Sequence, residues 1–119
     1  MIGGPLIGGL SLHDNLLIEQ TLGEAGSRPA LVDEFLAWME LAGCPVDLAS
    51  WQRRAATEAT PLEVLQVRIG RAWLGDPQSM CVEPSVWDDA VWPFDAVEQA
   101  FRQRHPWRTL QRAVLPSDS

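Results

Sequence analysis

The stretch Thr60-Pro61-Leu62-Glu63-Val64-Leu65-Gln66-Val67-Arg68-Ile69-Gly70-Arg71-Ala72-Trp73-Leu74-Gly75-Asp76-Pro77 decides the fold class. It opens with the strongest helix start in the chain. Thr60 can cap, Pro61 suits the first helical position because its missing N–H is not needed there, and Glu63 can return a bond to the cap. Leu62, Leu65, Ile69, Ala72 and Trp73 fall on one stripe at helical spacing, and Val64, Val67 and Leu74 form a second apolar side. A helix apolar on two sides belongs in the middle of a core. Gly75-Asp76-Pro77 stops it, because proline cannot continue a helix and restricts the residue before it.

Working outward, residues 29–43 read as a second amphipathic helix, with Val32, Phe35, Leu36, Met39 and Ala42 on one face. Asp33, Glu34, Ala37 and Glu40 lie opposite or flank that face, and Gly43 supplies the stop. Upstream, Ser11 can cap a helix reaching about Leu22, with Asp14 three residues on. Between these elements, Asp47 can cap a short third helix with an inner stripe of Leu48, Trp51, Gln52 and Ala55. Downstream, Pro93 opens a fifth helix through Phe94, Val97 and Phe101, which must break near Pro106. Trp107, Leu110 and Val114 suggest one last helical segment. The expected architecture is mainly α, a single domain of five or six short helices in an irregular bundle-like array around the second and fourth helices. Residues 1–10, with four glycines and a proline, read as a flexible glycine-rich arm, residues 11–115 as the helical domain and residues 116–119 as a disordered tail. Residues 76–93 form the longest irregular stretch.

Composition bounds the function. A chain of 119 residues with 46% apolar content supports one core. Its apolar runs are too short to span a membrane, and residues 1–12 lack the charged start and cleavage site of a secretory leader. The expectation is a soluble cytoplasmic protein. Cys44 and Cys81 form neither a CxxC pair nor a disulfide framework, and read as reduced thiols. Arginine supplies all nine positive charges and tyrosine is absent, a skew that fits coding bias in a GC-rich bacterial or phage genome. The net charge of −7 is unevenly placed: fifteen acids against five arginines up to residue 101, then Arg102, Arg104, Arg108 and Arg112 with no acid until Asp118. So acidic a body disfavours nucleic acid and anionic membranes, because counterion release needs positive charge facing phosphates.

The six tryptophans are the chain's most unusual feature. Trp51 and Trp73 lie on inner stripes and read as core. Trp87 and Trp92 sit in the irregular stretch beside Glu83, Asp88, Asp89, Phe94 and Asp95, with no basic residue from 72 to 101. Two readings of that segment stand side by side. Exposed, it is a docking surface for a basic protein partner, with acids steering and aromatics anchoring. Folded back, its tryptophans are lids on the core. The functional expectation is stoichiometric binding of a basic partner by an accessory chaperone, an immunity-type or anti-defence inhibitor, or a phage assembly factor. Self-association is left open.

Two other classes have weaker signals. The run from Leu36-Ala37 through Gly43 to Trp51-Gln52-Arg53-Arg54 resembles a helix-turn-helix, although its spacing is long, Pro45 falls in the turn and the surroundings are acidic. For a small helical enzyme the candidate bases are His13 and His105 and the neighbouring acids are Asp88 and Asp89, with His105 expected to be solvated in its arginine-rich stretch. His13, Cys44, Cys81 and His105 have no paired ligand spacing, and no phosphate-loop, dinucleotide or nucleophile-elbow motif occurs, so neither a metal nor a cofactor is expected.

Overall fold

The computed structural model describes residues 6–22, 29–75, 78–82 and 87–112. Within them run α1 (Leu12–Leu22), α2 (Pro29–Leu41), α3 (Leu48–Arg53), a 3-10 turn (Ala56–Glu58), α4 (Pro61–Trp73), β1 (Ser79–Val82), α5 (Phe94–Arg104) and β2 (Thr109–Arg112). The fold is mainly helical, as the sequence pattern requires.

Local chemistry sets the helix ends. At α4 the capping box is complete: Thr60 Oγ1 accepts from the Glu63 N–H at 3.2 Å, and Glu63 Oε1 accepts from the Thr60 N–H at 3.0 Å. Ser11 Oγ accepts from the Asp14 N–H, and Asp47 accepts from Ala49. Helix α2 closes on Gly43 at φ 88°, where the Cys44 N–H reaches the Met39 carbonyl and the Gly43 N–H reaches that of Glu40, the paired bonds of a glycine-terminated helix.

The fourth helix packs against α1 on one side and α2 on the other, and α5 covers the far side of α2. Gly70 makes this approach possible. A Cβ there would lie 2.7 Å from both Leu16 Cδ1 and Phe35 Cε1, so any side chain would push α1 and α2 away from α4. On the α5 side the core is aromatic: the Trp38 ring lies 5.0 Å from Phe101 and 6.1 Å from Trp73, both edge-on. Trp38 is fully buried, and its indole N–H donates to the Val97 carbonyl. The buried side of α2 is therefore wider than its apolar stripe suggests, because α5 packs where only one face was expected to be covered.

Two expectations are corrected. The irregular stretch 76–93 contains strand β1, and the segment expected to be a last helix is a turn leading into strand β2 over its described residues. The strands pair in parallel, Ser79 with Thr109 through Val82 with Arg112, and α5 is the crossover that parallel pairing demands. With Pro106 breaking the helix, Leu110 turns inward and Thr109 and Gln111 outward, a period of two rather than 3.6. Within residues 6–10 of the expected arm, Ile7 and Leu10 hydrogen-bond to the helical domain. Buried Asn15 accepts from the Ile7 N–H at 2.7 Å and donates to the Ile7 and Ser11 carbonyls, while the Ala56 N–H bonds to Leu10. The remaining arm residues 1–5, and the tail 116–119, lie outside the described residues.

Candidate functional site

The basic C-terminal segment docks on the acidic body, and this docking builds the site. Arg104, at the end of α5, donates from Nε and Nη2 to the two carboxylate oxygens of Glu34 on α2, at 3.0 and 2.9 Å, across 70 residues of sequence. Arg112 on β2 binds Asp89 in the same two-pronged way, and Arg102 meets Glu98 one turn away on α5. Each guanidinium finds an acid that the sequence displays as surplus negative charge.

Beside the Arg104–Glu34 pair lies a cleft of about 430 Å³, lined by Ala30, Leu31, Glu34, Trp73, Arg104, His105, Trp107 and Arg108. Trp73 belongs to its inner wall: it comes from the last turn of α4, is 1% exposed, and is fixed by its indole N–H donating to the Leu31 carbonyl. His105 caps α5, its ring 4.5 Å from Trp73 at 34°. Arg108 places its guanidinium 4.7 Å from the centre of the Trp73 ring, a cation–π contact. Trp107 meets the His105 ring at 84° and is 64% exposed.

His105 corrects the expectation of a solvated side chain. It is 3% exposed, its Nε2 is buried without a hydrogen-bond partner, and a carboxylate oxygen, Glu34 Oε2, stands 3.6 Å off. Burial pushes its pKa below the ordinary histidine value; the Glu34 carboxylate opposes this, while Arg108 and Arg104 reinforce it. The ring is neutral at neutral pH. The hydrogen bond from Arg104 holds the Glu34 carboxyl below its usual range, so the pair is ionised. The described residues lining the cleft offer aromatic faces, two guanidiniums and one imidazole, but no hydroxyl or thiol to act as a nucleophile. That inventory can hold a ligand.

No family model and no curated protein matches this chain. Its functional reading therefore rests on its own geometry.

The segment singled out in the sequence is placed differently from the docking surface considered above. Trp87, Trp92 and Phe94 are buried, at 6%, 2% and 4% exposure. The two indoles stack at 5.4 Å, Trp87 Nε1 donates to the Trp92 carbonyl at 2.7 Å, and Phe94 meets Trp87 edge-on at 5.3 Å. These aromatics close over the core, which is the lid arrangement. Asp89 has a structural task as well: besides Arg112 it accepts from the Phe94 N–H, capping α5 where Pro93 offers no side-chain bond. Asp88 accepts from the Ala90 N–H within the turn, Asp95 is exposed, and Glu83 lies outside the described residues. Of the helix-turn-helix candidates, Arg54 is spent on Glu63 and the Glu58 carbonyl, and α3 has only six residues.

Sequence reasoning did not find Glu34, Arg104, Trp107 and Arg108 as a group. The available signal was the run Arg104-His105-Pro106-Trp107-Arg108 at a forced helix break, where proline removes a donor and the chain must turn. A tryptophan just beyond such a break cannot be placed by helical periodicity, and nothing local indicates that Glu34 lies opposite.

Proposed function

We propose that the protein acts by stoichiometric binding of another protein, with Trp107 at the centre of the contact. One observation carries this reading. Five of the six tryptophans are at most 6% exposed, and the sixth stands 64% exposed at a cleft mouth. A fold that buries its other indoles so completely leaves one large aromatic in water, and aromatics so placed are typical anchors of protein contacts. The net charge of −7, with Asp33, Glu40, Asp47, Glu58 and Asp95 exposed on the described surface, suits steering of a partner whose overall charge is positive. Accessory chaperone, immunity-type or anti-defence inhibitor and phage assembly factor are roles compatible with such binding, in the cytoplasm. Among the described residues no helix is long and apolar enough to cross a membrane.

Under this reading the contact moves from the 87–95 segment to the 104–108 turn, and Trp87, Trp92 and Phe94 stiffen the scaffold instead. The test is capture from a lysate of the source organism by tagged wild type and by Trp107→Ala, at low and high salt. A partner retained at a fixed ratio by wild type should bind the variant about 30-fold more weakly, the equivalent of about 2 kcal/mol. High salt should slow capture by wild type if the acidic surface steers. Equal retention by both proteins removes Trp107 from the contact and with it this reading.

A further inference from the structure

We infer that the cleft between α3 and α4, floored by Trp51 and Gln66, is a binding site for a neutral primary carboxamide, either on a free small molecule or on an asparagine or glutamine side chain of another polypeptide. This cleft shares no lining residue with the Trp107 cleft, and the inference does not rest on the protein-binding reading.

Two buried side chains carry the inference. Trp51 and Gln66 line a cleft of about 330 Å³, and each is 3% exposed. Gln66 Nε2 donates to the Cys44 carbonyl at 2.8 Å and faces Met39 Sδ at 3.9 Å. A carbonyl can only accept, so this bond fixes which end of the amide is nitrogen and which is Oε1. Among the described residues, neither Gln66 Oε1 nor the Trp51 indole N–H has a hydrogen-bond partner. Trp38, Trp73 and Trp87, by contrast, each donate to a main-chain carbonyl. Neither group is sealed in as His105 Nε2 is, so both reach the cleft that their side chains line. A nearly buried donor and a nearly buried acceptor, open to one cleft, are completed by a ligand that brings one acceptor and one donor.

Charge narrows the class. Arg54 pairs with Glu63 and so cancels one of the two carboxylates in the lining, while Asp47 has no ion-pair partner among the described residues. The lining therefore holds one negative charge in excess, which opposes a carboxylate or a phosphate. An ammonium or guanidinium suits Asp47 and Gln66 but offers the Trp51 N–H only further donors. A neutral carboxamide meets both groups: its carbonyl accepts from Trp51, and its NH₂ donates to Gln66 Oε1. A primary amide presents oxygen and N–H on one edge, toward one floor, whereas a trans peptide bond points them to opposite sides. Pro45, Leu62 and the Trp51 ring supply apolar lining for the carbon part, and about 330 Å³ sets its size near that of one small ring.

The test is a titration of the purified full chain, followed by the indole N–H resonance of Trp51, with three probes: benzamide, acetophenone, in which a methyl replaces the amide nitrogen, and benzoate. Benzamide should shift that resonance saturably with a Kd on the order of 5 mM or tighter. Acetophenone and benzoate should each bind at least about tenfold more weakly. Trp51→Phe keeps an aromatic ring but removes the donor, and should weaken benzamide at least about tenfold by saturation transfer to the ligand, with the buried Trp38 indole resonance reporting that the fold is retained. The three-probe comparison on wild type decides the matter even where that variant does not fold. A short peptide carrying one glutamine, blocked as its acetyl and N-methylamide derivative, separates the sources: tighter binding than benzamide assigns the site to a polypeptide side chain, and equal or weaker binding assigns it to a small molecule. Acetophenone or benzoate binding as tightly as benzamide, or benzamide leaving the Trp51 resonance unmoved, overturns the inference. That failure would leave the protein-binding reading standing, just as unaltered lysate capture by Trp107→Ala would leave this one.

Discussion

Two aromatic clusters of this molecule are built from the same parts and end differently. In the 87–94 lid, Arg112 lies 4.8 Å from the centre of the Phe94 ring and pairs with Asp89. In the 104–108 cleft, Arg108 lies 4.7 Å from the Trp73 ring and Arg104 pairs with Glu34. Each is an aromatic group covered by an arginine of the basic segment, with an acid of the body beside it. Yet the lid has every ring buried, and the cleft leaves Trp107 in water. The difference lies in chain path. Trp87, Trp92 and Phe94 sit in one tight turn whose backbone lets the two indoles stack on each other, whereas Trp107 follows a helix-ending proline and, among the described residues, meets the ring of His105 alone. Composition alone does not separate a lid from an anchor.

The comparison can be broken most directly at Trp92. Trp92→Ala should lower stability by about 3–5 kcal/mol in denaturant unfolding, because it empties a fully enclosed site. A loss below about 1 kcal/mol would mean that the 87–94 segment is not core, and the contrast would collapse. Next in size, Arg112→Gln removes the Phe94 contact and the Asp89 pair together and should cost about 1 kcal/mol by the same measurement. Arg104→Gln removes an ion pair with no accompanying cation–π contact among the described residues and should cost less, and an inverted order would show the cleft to be the tighter of the two.

Acid sharpens the contrast further. His105 has a folded pKa below its unfolded value of about 6.5, so the unfolded chain binds more protons between those two values. Stability should therefore fall as pH drops from about 6.5 to the folded value and level off below it. Glu34, with its carboxyl held low by Arg104, contributes stability above the ordinary carboxylate range and loses it as pH falls through its lowered folded value, a window that opens at lower pH than that of His105. Thermal unfolding of wild type and His105→Gln across that range should show the upper window in wild type alone. Coincident profiles would mean that the imidazole is not held neutral. The smallest effect is expected at Trp107→Ala, within about 0.5 kcal/mol of wild type, since an exposed ring has little burial to lose. A larger loss would make Trp107 a structural residue and return it to the class of the lid.

Much of the helical framework was legible because its signals are local. A cap side chain and the N–H it accepts from lie two or three residues apart, and Thr60 with Glu63, Ser11, Asp47 and Gly43 all act where the pattern puts them. The core stripe of α4 was legible for the same reason. Of the candidate site, the sequence showed the ingredients but not their arrangement: a basic segment, an acidic body and surplus tryptophan.

By itself, then, the sequence determined the helix starts and stops, the mainly helical class and the segregation of charge, all consequences of chemistry within one or two turns of chain. Tertiary structure alone decided three things. It paired residues 79–82 with 109–112, joined Arg104 to Glu34 across 70 positions, and chose which tryptophans to cover. The physical reason is shared. Parallel strands, long-range ion pairs and buried rings draw their free energy from partners distant in sequence, and a partner's position exists only once the chain has folded.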